Sequence, residues 1–286
     1  MKYMELNTID KHESFDELEK LEIKLLVNGL YEWCGYDFRD YAFPSLRRRI
    51  LHRLQAEKLS TITQLLNKAL HEADCLNRLL DDLSINVTEM FRDPLFWKEF
   101  REKIVPYLRT YPSIRIWLAG CASGEEVYSM AILLEEEGLY EKTKIYATDF
   151  NQEVLKVAKN GYYPLEKMKK YTQNYLQSGG ENEFSHYYKV TNSGVKFDST
   201  LMRNVIFAQH NLATDRSFNE FQVILCRNVM IYFNKTLQQK VHGLFFESLN
   251  SFGFLGLGDK ETISFTEYED HYDIISAKQK IYQKNK

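Results

Sequence analysis

Arg227 and Asn228 stand side by side inside FQVILCRNVMIYF, a run from Phe221 to Phe233 that is otherwise almost wholly apolar. A permanent cation and an amide in such a run have two readings. Either they mark a turn with both polar ends in water, or they close a buried strand at the edge where open α/β sheets gather ligand-holding groups. Three other stretches offer groups of the same kind. AGCASGEE carries Gly120 and Gly124, which permit close backbone approach, then Glu125 and Glu126, acids that suit the first turn of a helix. This pattern is read equally well as turn chemistry and as a ligand loop. KIYATDF ends in Asp149, a carboxylate able to accept hydrogen bonds from both hydroxyls of a ribose, or to cap a helix beginning near Asn151. NVIFAQHNL ends in Gln209, His210, Asn211 and Leu212, polar groups beside an apolar one, as an adenine ring requires.

These groups converge only if the intervening elements place them at one end of a sheet. After Pro112 the chain alternates β-rich and helical segments: SIRIWLAG, GEEVYSMAILLEEE, KIYATDF, QEVLKVAKN. Such alternation predicts βαβ units and a mainly parallel sheet with helices on both faces. Further strands are expected in NVIFAQHNL, FQVILC and FGFLGLG, a helix through LQQKVHGLFFESL, and a terminal edge strand in KQKIYQK. Between Gly161 and Arg203 the alternation lapses into a polar, tyrosine-rich insert, read as a helical excursion and loop. From Phe15 to Leu83 apolar residues recur at helical spacing, as in Leu46, Ile50 and Leu54, then Ile62, Leu65 and Leu66. The Ser60 to Thr63 stretch, with Gln64 behind it, supplies a helix start. The fold class is therefore α/β: a small all-helical domain over residues 1–83, then a Rossmann-like domain over 84–286 with an insert at about 161–203.

The glycine loop lacks G-x-G-x-x-G, and no positive cluster stands ready for a pyrophosphate. A nucleoside without phosphates fits better than a dinucleotide, which points to S-adenosylmethionine. The 286 residues are 44% hydrophobic and 27% charged, an ordinary globular composition. A formal net charge of -3 gives no general argument for nucleic acid or an acidic membrane surface. Cys34, Cys75, Cys121 and Cys226 are far apart and histidines do not cluster, so neither a metal site nor a disulfide framework is expected. The amino terminus lacks a signal-like apolar segment, and no window approaches the roughly 18 apolar residues of a membrane span. A cytoplasmic protein with reduced thiols, without membrane insertion and monomeric, is the expectation.

NVTEMFRD, AGCASGEEVYSMA, YATDFNQEVLKVAKNGYYP, AQHNL and CRNVMIYFN together closely resemble the CheR-type methyltransferases, which esterify glutamates on bacterial chemoreceptors with methyl groups from S-adenosylmethionine. The similarity covers nearly the whole chain, including RRRILHRL at the helical front. It implies a Rossmann-like methyltransferase domain that binds S-adenosylmethionine through Asn86, Thr88, Arg92, Gly120 and Glu126 of the glycine loop, Asp149, Asn211, Leu212, Arg227 and Asn228. It also implies that Arg92 and Tyr232 lie by the transferred methyl, and that the partner is the cytoplasmic domain of a chemoreceptor.

Arg47, Arg48, Arg49 and Arg53 beside the ridge Leu46, Ile50, Leu54 are read as a surface for an acidic, glutamate-bearing helical bundle, with a solvated basic face as the alternative. Met90 replaces an aromatic residue of the family pattern and keeps an apolar wall. LGLGDKETI, Leu255 to Ile263, departs from a G-H-S-E-like stretch. Some relatives grip a receptor tail with a small β-subdomain; the insert does not read as one. Two other functions stand beside the leading one: a cofactor-binding signalling module without transfer, and a methyltransferase for small carboxylic acids.

Overall fold

The computed structural model describes residues 11–84 and 88–285, in two compact units. The helical unit comprises α1 (Lys11–Cys34), α2 (Phe43–Ala56), α3 (Ile62–His71) and α4 (Ala73–Leu83). Its core is the apolar face that the periodicity marks: Leu26, Leu30, Ile50, Leu65 and Leu79 are all fully buried. Helix α3 starts on a capping box. Thr61 Oγ1 accepts the Gln64 N–H and Gln64 Oε1 accepts the Thr61 N–H, each at 3.3 Å, an arrangement that stabilises a helix start by about 1 kcal/mol. The short segment Tyr232–Asn234 belongs to this unit by its contacts, the Tyr232 carbonyl accepting the Ala42 N–H at 2.8 Å.

The second unit opens with α5 (Pro94–Glu99), a π-helical turn at Phe100–Ile104 and α6 (Val105–Arg109). Strand β1 (Ile114–Ala119), α7 (Glu125–Glu136), β2 (Thr143–Asp149) and α8 (Gln152–Asn160) follow. The insert holds β3 (Tyr162–Tyr163), α9 (Met168–Gln177), β4 (Tyr188–Thr191) and β5 (Gly194–Phe197). The chain closes with β6 (Val205–Gln209), β7 (Phe221–Cys226), α10 (Lys235–Ser248), β8 (Leu249–Leu257), β9 (Tyr272–Ser276) and β10 (Ile281–Lys284).

Seven strands form one sheet in the order β6-β2-β1-β7-β8-β10-β9, parallel from β6 through β8 and antiparallel where β10 meets β8 and β9. The winding leaves β1 towards β2 on one side and passes to β7 on the other, so the switch point lies between β1 and β7. Open sheets bind ligands beyond the carboxyl ends of their strands at such a point. Strand β7 is buried along its whole length, as a strand covered on both faces must be.

Two expectations need correction. KQKIYQK is not the edge: β10 is penultimate, and β9 closes the sheet beyond it. The insert is more than a helix and loop, because β3, β5 and β4 form a three-stranded antiparallel sheet. Its strands are two to four residues long, too short for period-two patterning to register, and the β4–β5 hairpin turns through Asn192 and Ser193. The tyrosines that make the segment look polar are its core. Tyr163, Tyr171 and Tyr175 are all buried, and Tyr175 stacks on Phe184 at 4.9 Å.

Candidate cofactor site

The loop after β1 turns sharply. Gly120, Ala122 and Gly124 all have positive φ, and the Gly120 and Cys121 N–H groups both bond the Thr148 carbonyl at 2.8 and 2.9 Å. A Cβ on Gly120 would lie 2.6 Å from Val229 Cγ2, and one on Gly124 would lie 2.7 Å from Ala158 Cβ. Only glycine allows this loop to sit against both neighbours.

Asp149 ends β2 with 7% of its surface exposed. Its Oδ2 accepts the Ala122 N–H and its Oδ1 the Asn151 N–H, each at 3.0 Å. The cap of α8 is Asn151, whose side chain accepts the Glu153 N–H at 2.9 Å. Asp149 therefore sits two residues before the cap and fastens the glycine loop to β2. The Phe150 N–H also reaches this carboxylate, and of its roughly four lone-pair sites one remains for a ribose hydroxyl. Burial pushes its pKa up, against the pull of the backbone N–H groups.

At the end of β7 the Arg227 guanidinium is a hub. Nη1 donates to Glu126 Oε2 at 2.8 Å, and Nη2 donates to Asp93 Oδ2 and to the Arg92 carbonyl, each at 2.9 Å. The guanidinium also lies 4.2 Å from the Phe96 ring centroid. A cation belongs inside this apolar run because two carboxylates and a carbonyl converge on it. Burial raises the Glu126 pKa, with Arg227 opposing. Breaking such a buried pair leaves an uncompensated charge and costs about 3 to 5 kcal/mol.

Asn228 stands in the left-handed region at φ 61°, and its buried Oδ1 makes no hydrogen bond among the described residues. The turn is held by Glu261, 5% exposed, whose two oxygens accept the N–H groups of Asn228, Val229, Met230 and Gly258 at 2.6 to 2.9 Å. Sequence reading passed over Glu261, treating LGLGDKETI as a departure. Its one signal is an acid soon after a strand-ending glycine.

After β6 the Asn211 side-chain oxygen accepts the Ala213 N–H at 3.0 Å, and the Asn211 N–H donates to Asp215 Oδ2 at 2.9 Å. Leu212 is buried beside it. His210 N–H donates to the Asp149 carbonyl at 3.1 Å, which ties this tip to that of β2. Before β1, Thr88 and Arg92 are half-buried and Met90 is fully buried; Asn86 lies outside the described residues. The residues fit a nucleoside with an amino-acid tail. A carboxylate with a spare lone pair, an orphaned amide oxygen and a glycine turn with no room for a Cβ stand on adjacent strand ends.

Tyr232 and the four arginines fall in the helical unit. Arg49 is buried, donates to the Leu83 carbonyl at 2.8 Å and lies 4.8 Å from the Tyr232 ring centroid. Burial lowers its pKa. Arg53 pairs with Asp82 at 2.7 Å and Arg47 with Glu19. Arg48 is exposed and makes no ion pair among the described residues. The four are not one free basic face: three are tied to partners inside the unit.

Residues 86–281 match the SAM-binding domain of the CheR methyltransferases, and residues 21–84 match their all-alpha domain. A Pseudomonas putida relative provisionally named as a methyltransferase, Cher3, is 48% identical over 265 residues, covering 93% of this chain and 97% of that protein. The chemotaxis protein methyltransferase of Listeria monocytogenes is 28% identical over 236 residues, 80% of this chain and 85% of that one. That of Escherichia coli is 28% identical over 253 residues, 83% of each. No helix among the described residues is long and apolar enough to cross a membrane.

Proposed function

The chain belongs to the CheR methyltransferase family and is an S-adenosylmethionine-dependent methyltransferase, and we propose that it esterifies glutamate side chains on the cytoplasmic domain of chemoreceptors. The observation that supports this most is the grip of Arg227 on the Arg92–Asp93 segment, which fixes the backbone bearing Arg92 beside the carboxyl end of β7. The chemotaxis names of the relatives point the same way.

A glutamate side chain has a reference pKa of about 4.3 and is already a carboxylate at neutral pH, so no general base is required. The bound cofactor supplies an electrophilic methyl on a sulfonium. With the cofactor held there, a glutamate oxygen would form the new C–O bond as the S–CH3 bond breaks, its electron pair staying on sulfur. The protein's task is positioning, which can supply several of the roughly 7 to 11 kcal/mol available to well-oriented reactants. Asp149 and Asn228 are the proposed holders of the cofactor, with Glu126, Asn211, Leu212 and Thr88 around them.

Arg92 is the proposed guide for the incoming carboxylate, its planar fork suiting two oxygens. It must hold the nucleophile loosely, because attack neutralises the carboxylate and tight ground-state pairing raises the barrier. Tyr232 joins the proposal through the family resemblance. Arg48 is the proposed electrostatic contact for an acidic receptor bundle.

The test is incubation of a receptor cytoplasmic domain with methyl-labelled cofactor, followed by alkaline release. Base-labile label on the receptor is the expected result. Binding of S-adenosylhomocysteine without transfer would make the chain a signalling module, and label carried only by small acids would change the substrate class.

A further inference from the structure

Arg92 is flanked by two residues in an unfavourable conformation: Phe91 at φ 48° and Asp93 at φ 54°. For residues with a Cβ, left-handed backbone costs of order 1 kcal/mol each and persists only where surrounding contacts over-determine it. On the carboxyl side the Arg92 carbonyl accepts from Arg227 Nη2 at 2.9 Å and from Trp97 Nε1 at 3.0 Å. On the amino side it comes partly from the insert. Asn174 of α9 donates its Nδ2 to the Met90 carbonyl at 3.0 Å and to Glu89 Oε2 at 3.1 Å.

Asn174 is 2% exposed, and a buried amide reaching out of its own helix to two acceptors on one loop is there for that loop. Beside it, Ser129 Oγ accepts the Phe91 N–H at 2.8 Å while donating to the Glu125 carbonyl at 2.7 Å. Two further side chains of the insert reach the other cofactor loop. Tyr163 donates to the Ser123 carbonyl at 2.8 Å, and Tyr171 to Glu125 Oε1 at 3.1 Å. The insert thus braces both loops from behind.

We infer that Asn174 is a positioning residue for methyl transfer, pinning the Glu89–Met90 backbone so that the strained turn after it presents Arg92 in one orientation. This rests on the role proposed for Arg92. A misplacement of about 1 Å costs on the order of 100-fold in rate, so loss of the Asn174 contacts, leaving Ser129 as the amino-side anchor of a strained turn, should be visible in turnover.

A double-mutant cycle on the full chain tests it. Asn174→Ala should lower kcat for receptor methylation about 10- to 100-fold with a smaller change in KM, and should cost less than about twofold more in an Arg92→Ala background. In the cofactor-free protein the same substitution should speed hydrogen exchange across residues 88–93 and leave α7 protected. Asn174→Ser, which keeps one donor, should fall between, and it carries the cycle if the alanine variant does not fold.

An equal loss in both backgrounds, or unchanged turnover, would overturn the inference. Unchanged turnover in Arg92→Ala alone would instead remove Arg92 from the reaction, a failure of the proposed function that the exchange measurement would not share.

Discussion

Glu261 Oε2 accepts the backbone N–H of Asn228 at 2.9 Å while Asn228 stands at φ 61°. The contact joins the loop after β8 to the tip of β7. It explains how a turn with a left-handed asparagine persists: one buried carboxylate satisfies the N–H groups of three consecutive residues and of Gly258. Glu261→Gln turns a donor towards two of those four N–H groups, whichever way the amide faces. Each unsatisfied group costs about 1 to 3 kcal/mol. With two such groups, urea unfolding should show a loss of about 2 to 6 kcal/mol, and calorimetry should show S-adenosylhomocysteine bound about tenfold more weakly. Full affinity would mean that the turn keeps its shape without the carboxylate.

Asp149 accepts from the backbone N–H groups of Ala122, Asn151 and Phe150, which leaves its carboxylate acceptor capacity for a ribose hydroxyl. Asp149→Asn removes the charge and turns an amide NH2 towards a backbone N–H whichever way it faces. Hydrogen bonds to a charged group contribute about 1.5 to 3 kcal/mol, so affinity for S-adenosylhomocysteine should drop by about 10- to 150-fold. Equal affinity would leave Asp149 the loop fastener it is in the fold, with no part in binding.

The parallel sheet was legible because β1, β2 and β7 are apolar runs separated by helical periodicity. The tips were legible because Asp149, Arg227 and Asn228 break apolar runs, and a polar residue in such a place demands a reason. What escaped was non-local or too short. Three of the four N–H groups that Glu261 holds lie about thirty positions earlier, so the nearby Gly258 is the one local mark of its role. The insert's strands are shorter than any pattern can register, and its tyrosines look like surface until they are seen packed on Phe184 and Phe197. Arg49 follows Leu46 by three positions on the buried side of α2. That spacing signalled burial, yet it was read with Arg47 and Arg48 as charge for a partner.

Arg48 and Arg49 separate docking from folding. Arg49→Ala removes a cation from the carbonyls at the end of α4 and should destabilise the protein by about 1 to 3 kcal/mol. Arg48→Glu, on the exposed face, should change stability by no more than about 0.5 kcal/mol. It should slow receptor methylation at low salt, with the difference from the parent shrinking as ionic strength rises. Salt-independent rates identical to the parent would leave α2 a solvated face.

His242 gives the fold an acid limit. The residue is 3% exposed in α10, and its Nδ1 has no hydrogen-bond partner among the described residues. Burial pushes its pKa down to about 4 from the ordinary 6.5, with the Thr262 backbone opposing to a smaller extent. An unfolded chain therefore binds a proton between about pH 6.5 and 4 that the folded chain refuses. The contribution of His242 is fully present above pH 6.5 and is lost as pH falls through 4. The gap between the two values corresponds to roughly 3 kcal/mol. Urea midpoints taken across this window for the parent and for His242→Leu should diverge, the parent losing up to that amount more than the variant. Parallel curves would place the acid sensitivity in other groups.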